Sequence, residues 1–368
     1  MRRALLPATL SLAALLPACA GPASAPDSDE PGSLRNARVA IDAEGGARSL
    51  LFLAGRLDEG VVEELQMTAP NLRVLVPASQ AEALALAPEA HGADGRWVSE
   101  EFLAAAGQLA WVQSPSAGVE RYLRQDALRE DPDLVLTNMQ GVHGRAIADH
   151  VFALLLVLSR DLRVHLDPAN AGQWSRGGSG ELEPFALHGR TLLVVGLGGI
   201  GSEVARRGDG FGMRVWATRR SDTPPPDYVD RQGRSDELLA MLPEADVVVL
   251  CVPLTEETAG LIDTEAFAAM KPGAVLINIA RGGVVDTDAL VAALESGTLA
   301  GAGLDVTDPE PLPAGHPLWE MPNVLITPHV ASRAALTSAQ WQTLYVENLR
   351  RFAAGEPLLN VVDKAAGY

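Results

Sequence analysis

Leu192-Leu193-Val194-Val195-Gly196-Leu197-Gly198-Gly199-Ile200-Gly201-Ser202-Glu203-Val204-Ala205 decides the fold. Four apolar residues read as a buried strand, the spaced glycines as a tight turn, and the residues from Gly201 onward as the start of a helix. A GxGxxG spacing alone is weak, but between a strand and a helix it has a mechanical meaning. Gly196 permits the turn, Gly198 lets the backbone approach a pyrophosphate, and Gly201 lets the helix lie close on the strand. The free N–H groups at the helix start favour a phosphate. The ligand this stretch describes is a dinucleotide.

Downstream, apolar runs at residues 214–217, 247–251, 274–279, 301–306 and 324–327 alternate with helical segments. With 191–195 they make six strands of one doubly wound, Rossmann-type domain. Upstream, strand-like runs at 50–53, 72–76, 109–112 and 134–136, with helical spacing at 61–67, describe a second doubly wound α/β domain of the flavodoxin-like kind. A long helix is expected from about 143 to 163. The tail is helical from 336 to 352 and has no strand of its own, so it should pack back onto the first domain. The expected division is a leader and tether (1–34), a substrate domain (35–140, completed by 333–368) and a nucleotide domain (141–332). The cleft between the two domains is the default ligand site.

Composition narrows the function. A chain of 368 residues holds about two domains at roughly 150 each. Acidic residues (47) outnumber Lys and Arg (29), and the net charge of −18 repels phosphate backbones, so nucleic-acid binding is not expected. The only lysines are Lys271 and Lys364, and neither sits in a P-loop setting. Two cysteines, Cys19 and Cys251, make no disulfide framework or Cys-based zinc cluster, and ligand spacings such as HExxH are absent, so no metal is expected. Cys251 lies in an apolar run and reads as a small buried hydrophobe.

The first residues read differently from the rest. Arg2-Arg3, an apolar stretch over 4–16 and Leu16-Pro17-Ala18-Cys19-Ala20-Gly21 have the three parts of a secretory signal. Leu-Pro-Ala-Cys is similar to a bacterial lipobox, which would anchor the chain to a membrane through a lipid on Cys19, although proline is unusual there. Ala18-Cys19-Ala20 also suits ordinary cleavage. Export is the favoured reading, to the periplasm or as a membrane-anchored lipoprotein. The alternative is a misplaced start codon ahead of a cytoplasmic enzyme.

The strand after the glycine loop should end in an acid if the cofactor is NAD, because a carboxylate accepts from the ribose 2′-OH. It ends instead in Thr218-Arg219-Arg220-Ser221, with Arg219 at the acidic position, 23 residues after Gly196. Arginine can hold a 2′-phosphate through two N–H groups. NADP(H) is therefore favoured over NAD(H).

Three further segments carry chemistry: Asn278-Ile279-Ala280-Arg281-Gly282-Gly283-Val284-Val285-Asp286, Gly303-Leu304-Asp305-Val306-Thr307-Asp308-Pro309-Glu310-Pro311-Leu312, and Ile326-Thr327-Pro328-His329-Val330-Ala331. Arg281 and His329 follow strand ends, where open α/β sheets place their sites. With the glycine loop, Ser116-Ala117-Gly118-Val119 and Gly141-Val142-His143-Gly144, residues from about 49 to 355 resemble the D-isomer-specific 2-hydroxyacid dehydrogenase family.

The resemblance implies an Arg281, Glu310 and His329 catalytic set acting on a 2-keto or 2-hydroxy acid. Arg281 would grip the substrate carboxylate and polarise the carbonyl. His329 would donate the proton, and Glu310 would orient the imidazole and stabilise its charge. The backbone of Ala117 and Gly118, with Gly55, would complete the substrate site. Asp305 would contact the nicotinamide amide. The expected cofactor set is Gly196, Gly198, Gly199, Ile200, Gly201, Thr218, Arg219, Arg220, Cys251, Val252, Pro253, Thr258, Ala280, Arg281, Asp305 and His329. A homodimer through the 143–163 helix is implied as well. The reaction expected is reduction of a glyoxylate- or hydroxypyruvate-like acid; the alternative is a nucleotide-sensing interaction protein on the same fold. Gly208 and Gly210 sit where a helix would prefer alanine and have no sequence-level account.

Overall fold

The computed structural model describes residues 48–175 and 183–368; the leader, Cys19 and the tether lie outside the described residues. Five parallel strands form the first sheet: β1 (Leu50–Leu53), β2 (Leu72–Leu75), β3 (Gly92–Asp94), β4 (Trp111–Gln113) and β5 (Val135–Thr137). Their order, β2-β1-β3-β4-β5, is the flavodoxin-like one. Seven parallel strands form the second: β6 (Thr191–Val195), β7 (Arg214–Thr218), β8 (Arg231–Gly233), β9 (Val247–Leu250), β10 (Ala274–Asn278), β11 (Leu299–Leu304) and β12 (Val324–Ile326). Counted from β8, the order β8-β7-β6-β9-β10-β11-β12 is the Rossmann order with one strand added. The strand order reverses between β6 and β9, and the glycine loop leaves β6 at that crevice.

Two strands escape a reading based on apolar runs. β3 is Gly-Ala-Asp and β8 is Arg-Gln-Gly, so pairing rather than side-chain pattern defines them. Gly92 must be small: a Cβ there would lie 2.5 Å from Cδ2 of Phe52 on the neighbouring strand. The helix expected from about 143 to 163 ends four residues early. α1 (Gly144–Ser159) ends before Asp161, whose φ is +47°, and α2 (Arg163–Asn170) follows. Close approach also explains Gly208 in α3 (Gly199–Gly210), because a Cβ would lie 2.4 Å from Leu192 Cδ2 on β6. Gly210 faces open space, and nothing in the structure explains it.

α4 (Ala335–Ala354) returns to the first sheet. Tyr345, Leu349 and Phe352 are fully buried there with Phe52 and Trp111. The Trp111 ring lies 4.8 Å from that of Phe52 and 5.0 Å from that of Phe352. Polar groups fix the register of this packing: Tyr345 Oη donates to Asp94 Oδ2 (3.0 Å), and Asn348 Nδ2 donates to Gln113 Oε1 (3.1 Å). Gly355, with φ +68°, ends the helix in the left-handed conformation that glycine adopts readily.

His91 makes the first sheet pH-sensitive. Its Nδ1 accepts from Leu51 N at 3.2 Å, and burial, aided by the Arg48 charge, holds its pKa below the usual 6.5. The unfolded chain therefore takes up this proton before the folded one does, so the contribution is present above pH 6.5 and is lost as pH falls below it. His91→Asn keeps an acceptor for Leu51 N but cannot titrate. Thermal melts between pH 7 and 5 should show a shallower loss of stability for the variant than for the parent. Equal slopes would remove His91 from the account.

Candidate active site

The glycine loop is built as a dinucleotide cradle. Gly196 has φ +99°, and a Cβ on it would lie 2.8 Å from Val252 Cγ1 and 3.0 Å from the Cys251 carbonyl. A Cβ on Gly201 would lie 2.0 Å from the Gly196 oxygen, so the helix start can close on the turn only without one. Gly198 has nothing within 4 Å of its missing Cβ, which leaves the loop open to a ligand. Gly199, followed by Ile200, faces the crossover between the domains, with 3.4 Å from its Cβ position to Gly141 Cα.

Thr218 is buried at the end of β7, and its carbonyl accepts from Gly196 N (3.2 Å) and Leu197 N (2.9 Å). Arg219 is half-buried, and its backbone N donates to Gly233 O (3.0 Å), so the unforeseen strand β8 fixes this position. Arg220 is exposed. The nearest acid after β7, Asp222, pairs with Arg234. Across the crevice, Thr258 shapes the 251–258 loop: its Oγ1 donates to Pro253 O (2.6 Å) and accepts from Thr255 N (2.8 Å). Cys251 is partly buried, and burial pushes the thiol up to about 12. It is not a thiolate at neutral pH. The open loop, the helix start and the arginines suit a phosphorylated dinucleotide.

His329 follows β12 in a left-handed conformation, φ +52°, that costs a non-glycine residue about 1–3 kcal/mol. The surroundings over-determine it. Its backbone N donates to Asp305 O (2.8 Å) and Thr327 O (3.0 Å). The buried Asp305 carboxylate accepts from Thr327 Oγ1 (2.6 Å), Val330 N (2.9 Å) and Ala331 N (3.0 Å). His150 Nε2 lies 2.9 Å from Thr327 Oγ1 and steadies it. The imidazole then stands with Nδ1 2.8 Å from Glu310 Oε1. Both side chains are about half exposed, so the pair contributes little to stability, and its consequence is orientation.

Arg281 follows β10 on a turn made by Asn278, which accepts from Ala280 N and donates to Arg281 O, both at 3.0 Å. Gly282 lets this turn press on the segment that leads to Glu310, since a Cβ would lie 1.9 Å from Thr307 O. The guanidinium reaches the other domain: Nε lies 3.0 Å from Glu120 Oε1, while Nη1 donates to Ala280 O at 2.7 Å. Its Nη2 lies against Gly118, 1.9 Å from where a Cβ would stand. Asn138 Nδ2 donates to Ala117 O, and Ser116 Oγ donates to Gly118 O, both at 3.0 Å. Fixing these carbonyls fixes the peptide planes, and hence the direction of the Gly118 N–H.

Gly55 stands with a different group. Its carbonyl accepts from Arg96 Nη1 (2.8 Å), and a Cβ would lie 2.6 Å from Asp94 Oδ2. Burial pushes that carboxyl up, against the hydrogen bond from Arg96 N. Sequence reasoning missed Glu120, Asn138, His150, Asn278 and Thr327 as site builders. Asn278 and Thr327 sit inside quoted segments, but the partners of Glu120 and His150 are remote in the chain.

Residues 152–331 match the family model described as D-isomer specific 2-hydroxyacid dehydrogenase, NAD binding domain. Over 289 residues the chain is 37% identical to glyoxylate/hydroxypyruvate reductase B of Pectobacterium carotovorum, covering 78% of this chain and 89% of that one. The chain belongs to the D-isomer specific 2-hydroxyacid dehydrogenase family. It is an NAD(P)-dependent oxidoreductase of that family. The solved Xanthobacter autotrophicus member, in complex with NADPH and MES, is 33% identical, with a TM-score of 0.68 over 88% of this chain and all (100%) of that one. The NADPH-dependent glyoxylate/hydroxypyruvate reductase of Sinorhizobium meliloti, in complex with NADP and sulfate, is 28% identical, with a TM-score of 0.72 over 87% of this chain and 100% of that one.

The Gly118–Arg281 approach gives a direct test. In Gly118→Ala the new methyl must displace the guanidinium, and misplacing a binding group by about 1 Å can cost up to about 100-fold. The KM for a 2-keto acid should rise by at least about tenfold, while NADPH affinity by fluorescence titration stays unchanged. An unchanged KM would separate Arg281 from the acid-binding site.

Proposed function

We propose that this chain reduces a small 2-keto acid of the glyoxylate or hydroxypyruvate kind to the D-2-hydroxy acid, with NADPH preferred to NADH. The carrying observation is the His329–Glu310 pair, 2.8 Å apart at the strand ends that also carry Arg281. The relatives support the substrate class through their names, and the arginines after β7 support NADPH.

The roles follow from the directions of the side chains. Arg281 and the Gly118 N–H receive the substrate carboxylate, and the guanidinium polarises the adjoining carbonyl. Glu310 accepts from Nδ1, so Nε2 is the imidazole atom left for the substrate. His329 donates its Nε2 proton to the carbonyl oxygen, which becomes the hydroxyl, and the half-exposed ring is reprotonated from water. A bound reduced nicotinamide supplies the hydride that the carbonyl carbon receives. In the oxidation direction His329 takes the hydroxyl proton. Asp305 contributes by holding the loop that carries His329. The assembly we propose is a homodimer through α1 and α2, where Leu162 and Leu166 leave apolar surface exposed.

An initial-rate panel of glyoxylate, hydroxypyruvate, pyruvate and bulkier keto acids, each with NADPH and NADH, tests this reading. The smallest acids with NADPH should be the best pair. His329→Ala should lower the rate by about 100-fold or more, the contribution expected of a lost general acid. Arg219→Asp should weaken use of NADPH and not of NADH. Near-normal turnover without His329, or an unchanged cofactor preference, would overturn the corresponding assignment.

A further inference from the structure

The turn at residues 363–368 touches both domains beside the cofactor loops. At one end it is tied to the substrate domain: Val362 N donates to Leu136 O (2.8 Å), and Lys364 Nζ donates to Leu128 O (2.8 Å) and Asp131 O (2.7 Å). Asp363 then folds the chain on itself. Its Oδ1 accepts from Ala365 N and Ala366 N, both at 2.9 Å, its carbonyl accepts from Gly367 N at 2.9 Å, and its N donates to Tyr368 O at 3.1 Å. Gly367 has φ +85°, which a glycine adopts without strain. The folded turn reaches the nucleotide domain at two places. The Cβ position of Gly367 lies 3.7 Å from the Thr255 methyl, in the loop shaped by Thr258. The Tyr368 ring lies under the Arg220 guanidinium, 4.7 Å from centroid to Cζ.

We propose that Tyr368 is a positioning residue for cofactor choice, holding Arg220 ready for the 2′-phosphate of NADPH. The inference rests on the NADPH reading of Arg219 and Arg220. The geometry of the stack is what carries it. A ring on the face of a guanidinium restricts the long side chain but leaves the N–H groups of its edge free. A phosphate binds through that edge. A carboxylate partner would do the opposite, occupying the edge and cancelling the charge, as Asp222 does for Arg234. Lys364 sets where the ring lies, so part of the cofactor site is held by the substrate domain.

The test is a comparison of KM for NADPH and NADH in the full chain, with Tyr368→Ala, Tyr368→Phe and Lys364→Met. Tyr368→Ala should raise the KM for NADPH about threefold, the scale of one exposed cation–π contact, with kcat and the KM for NADH unchanged. Tyr368→Phe keeps the ring and should behave as the parent. Lys364→Met, which removes the bonds to Leu128 O and Asp131 O, should move the NADPH constant in the same direction. A general loss of folding would lower both cofactors' rates together, whereas the proposal requires them to part. An unchanged NADPH KM in Tyr368→Ala, or an equal rise for both cofactors, would overturn it. If the parent itself shows no preference for NADPH, the reading of Arg219 and Arg220 fails instead.

Discussion

The site hangs on one buried carboxylate. Asp305 follows β11 directly and gathers Thr327 Oγ1, Val330 N and Ala331 N on its two oxygens, while its own carbonyl takes His329 N. A buried carboxylate satisfied in this way is a strong local organiser, since losing any partner leaves a charge short of hydrogen bonds in a place that water does not reach. These bonds hold His329 left-handed and aim its ring at Glu310. The two parallel sheets supply the frame, because β10, β11 and β12 lie side by side and deliver Arg281, Asp305 and His329 to the same edge. The His329 imidazole is thus placed by strand order and then locked by hydrogen bonds.

A second constraint crosses the cleft. Arg281 belongs to one domain, and Glu120 and Gly118 to the other. The guanidinium already holds a carboxylate, that of Glu120, through Nε, and lies against the Gly118 backbone proposed above for the substrate carboxylate. An acidic chain with net charge −18 disfavours anions over most of its surface. Arginines at two points offset this: Arg281 against the Gly118 loop, and Arg219 with Arg220 at the end of β7.

Much of this was legible in the sequence. The glycine loop and six of the seven strands of its sheet follow from apolar runs, and Arg281 and His329 were legible as residues after strand ends; Glu310 joined them only through the family resemblance. What escaped did so for physical reasons. Gly92-Ala93-Asp94 and Arg231-Gln232-Gly233 are strands made by their neighbours, with no pattern of their own. Gly208 reads as a helix defect until Leu192 is seen beneath it. Arg281 with Glu120, His150 with Thr327, and Arg220 with Tyr368 are pairs far apart in the chain, and only folding brings each together. Asp305 was legible as a strand-end acid, expected by resemblance at the nicotinamide; its grip on the His329 loop was not.

That grip can be tested in a single turnover. Asp305→Asn preserves shape but turns one acceptor into a donor, so one of the three groups now served must lose its bond. Rapid mixing of the NADPH-loaded variant with a 2-keto acid, followed at the nicotinamide absorbance, separates the chemical step from cofactor binding. The account predicts a chemical step slower by at least about tenfold with NADPH affinity unchanged. A parent-like chemical step, or a loss confined to NADPH binding, would contradict the claim that Asp305 works by holding His329.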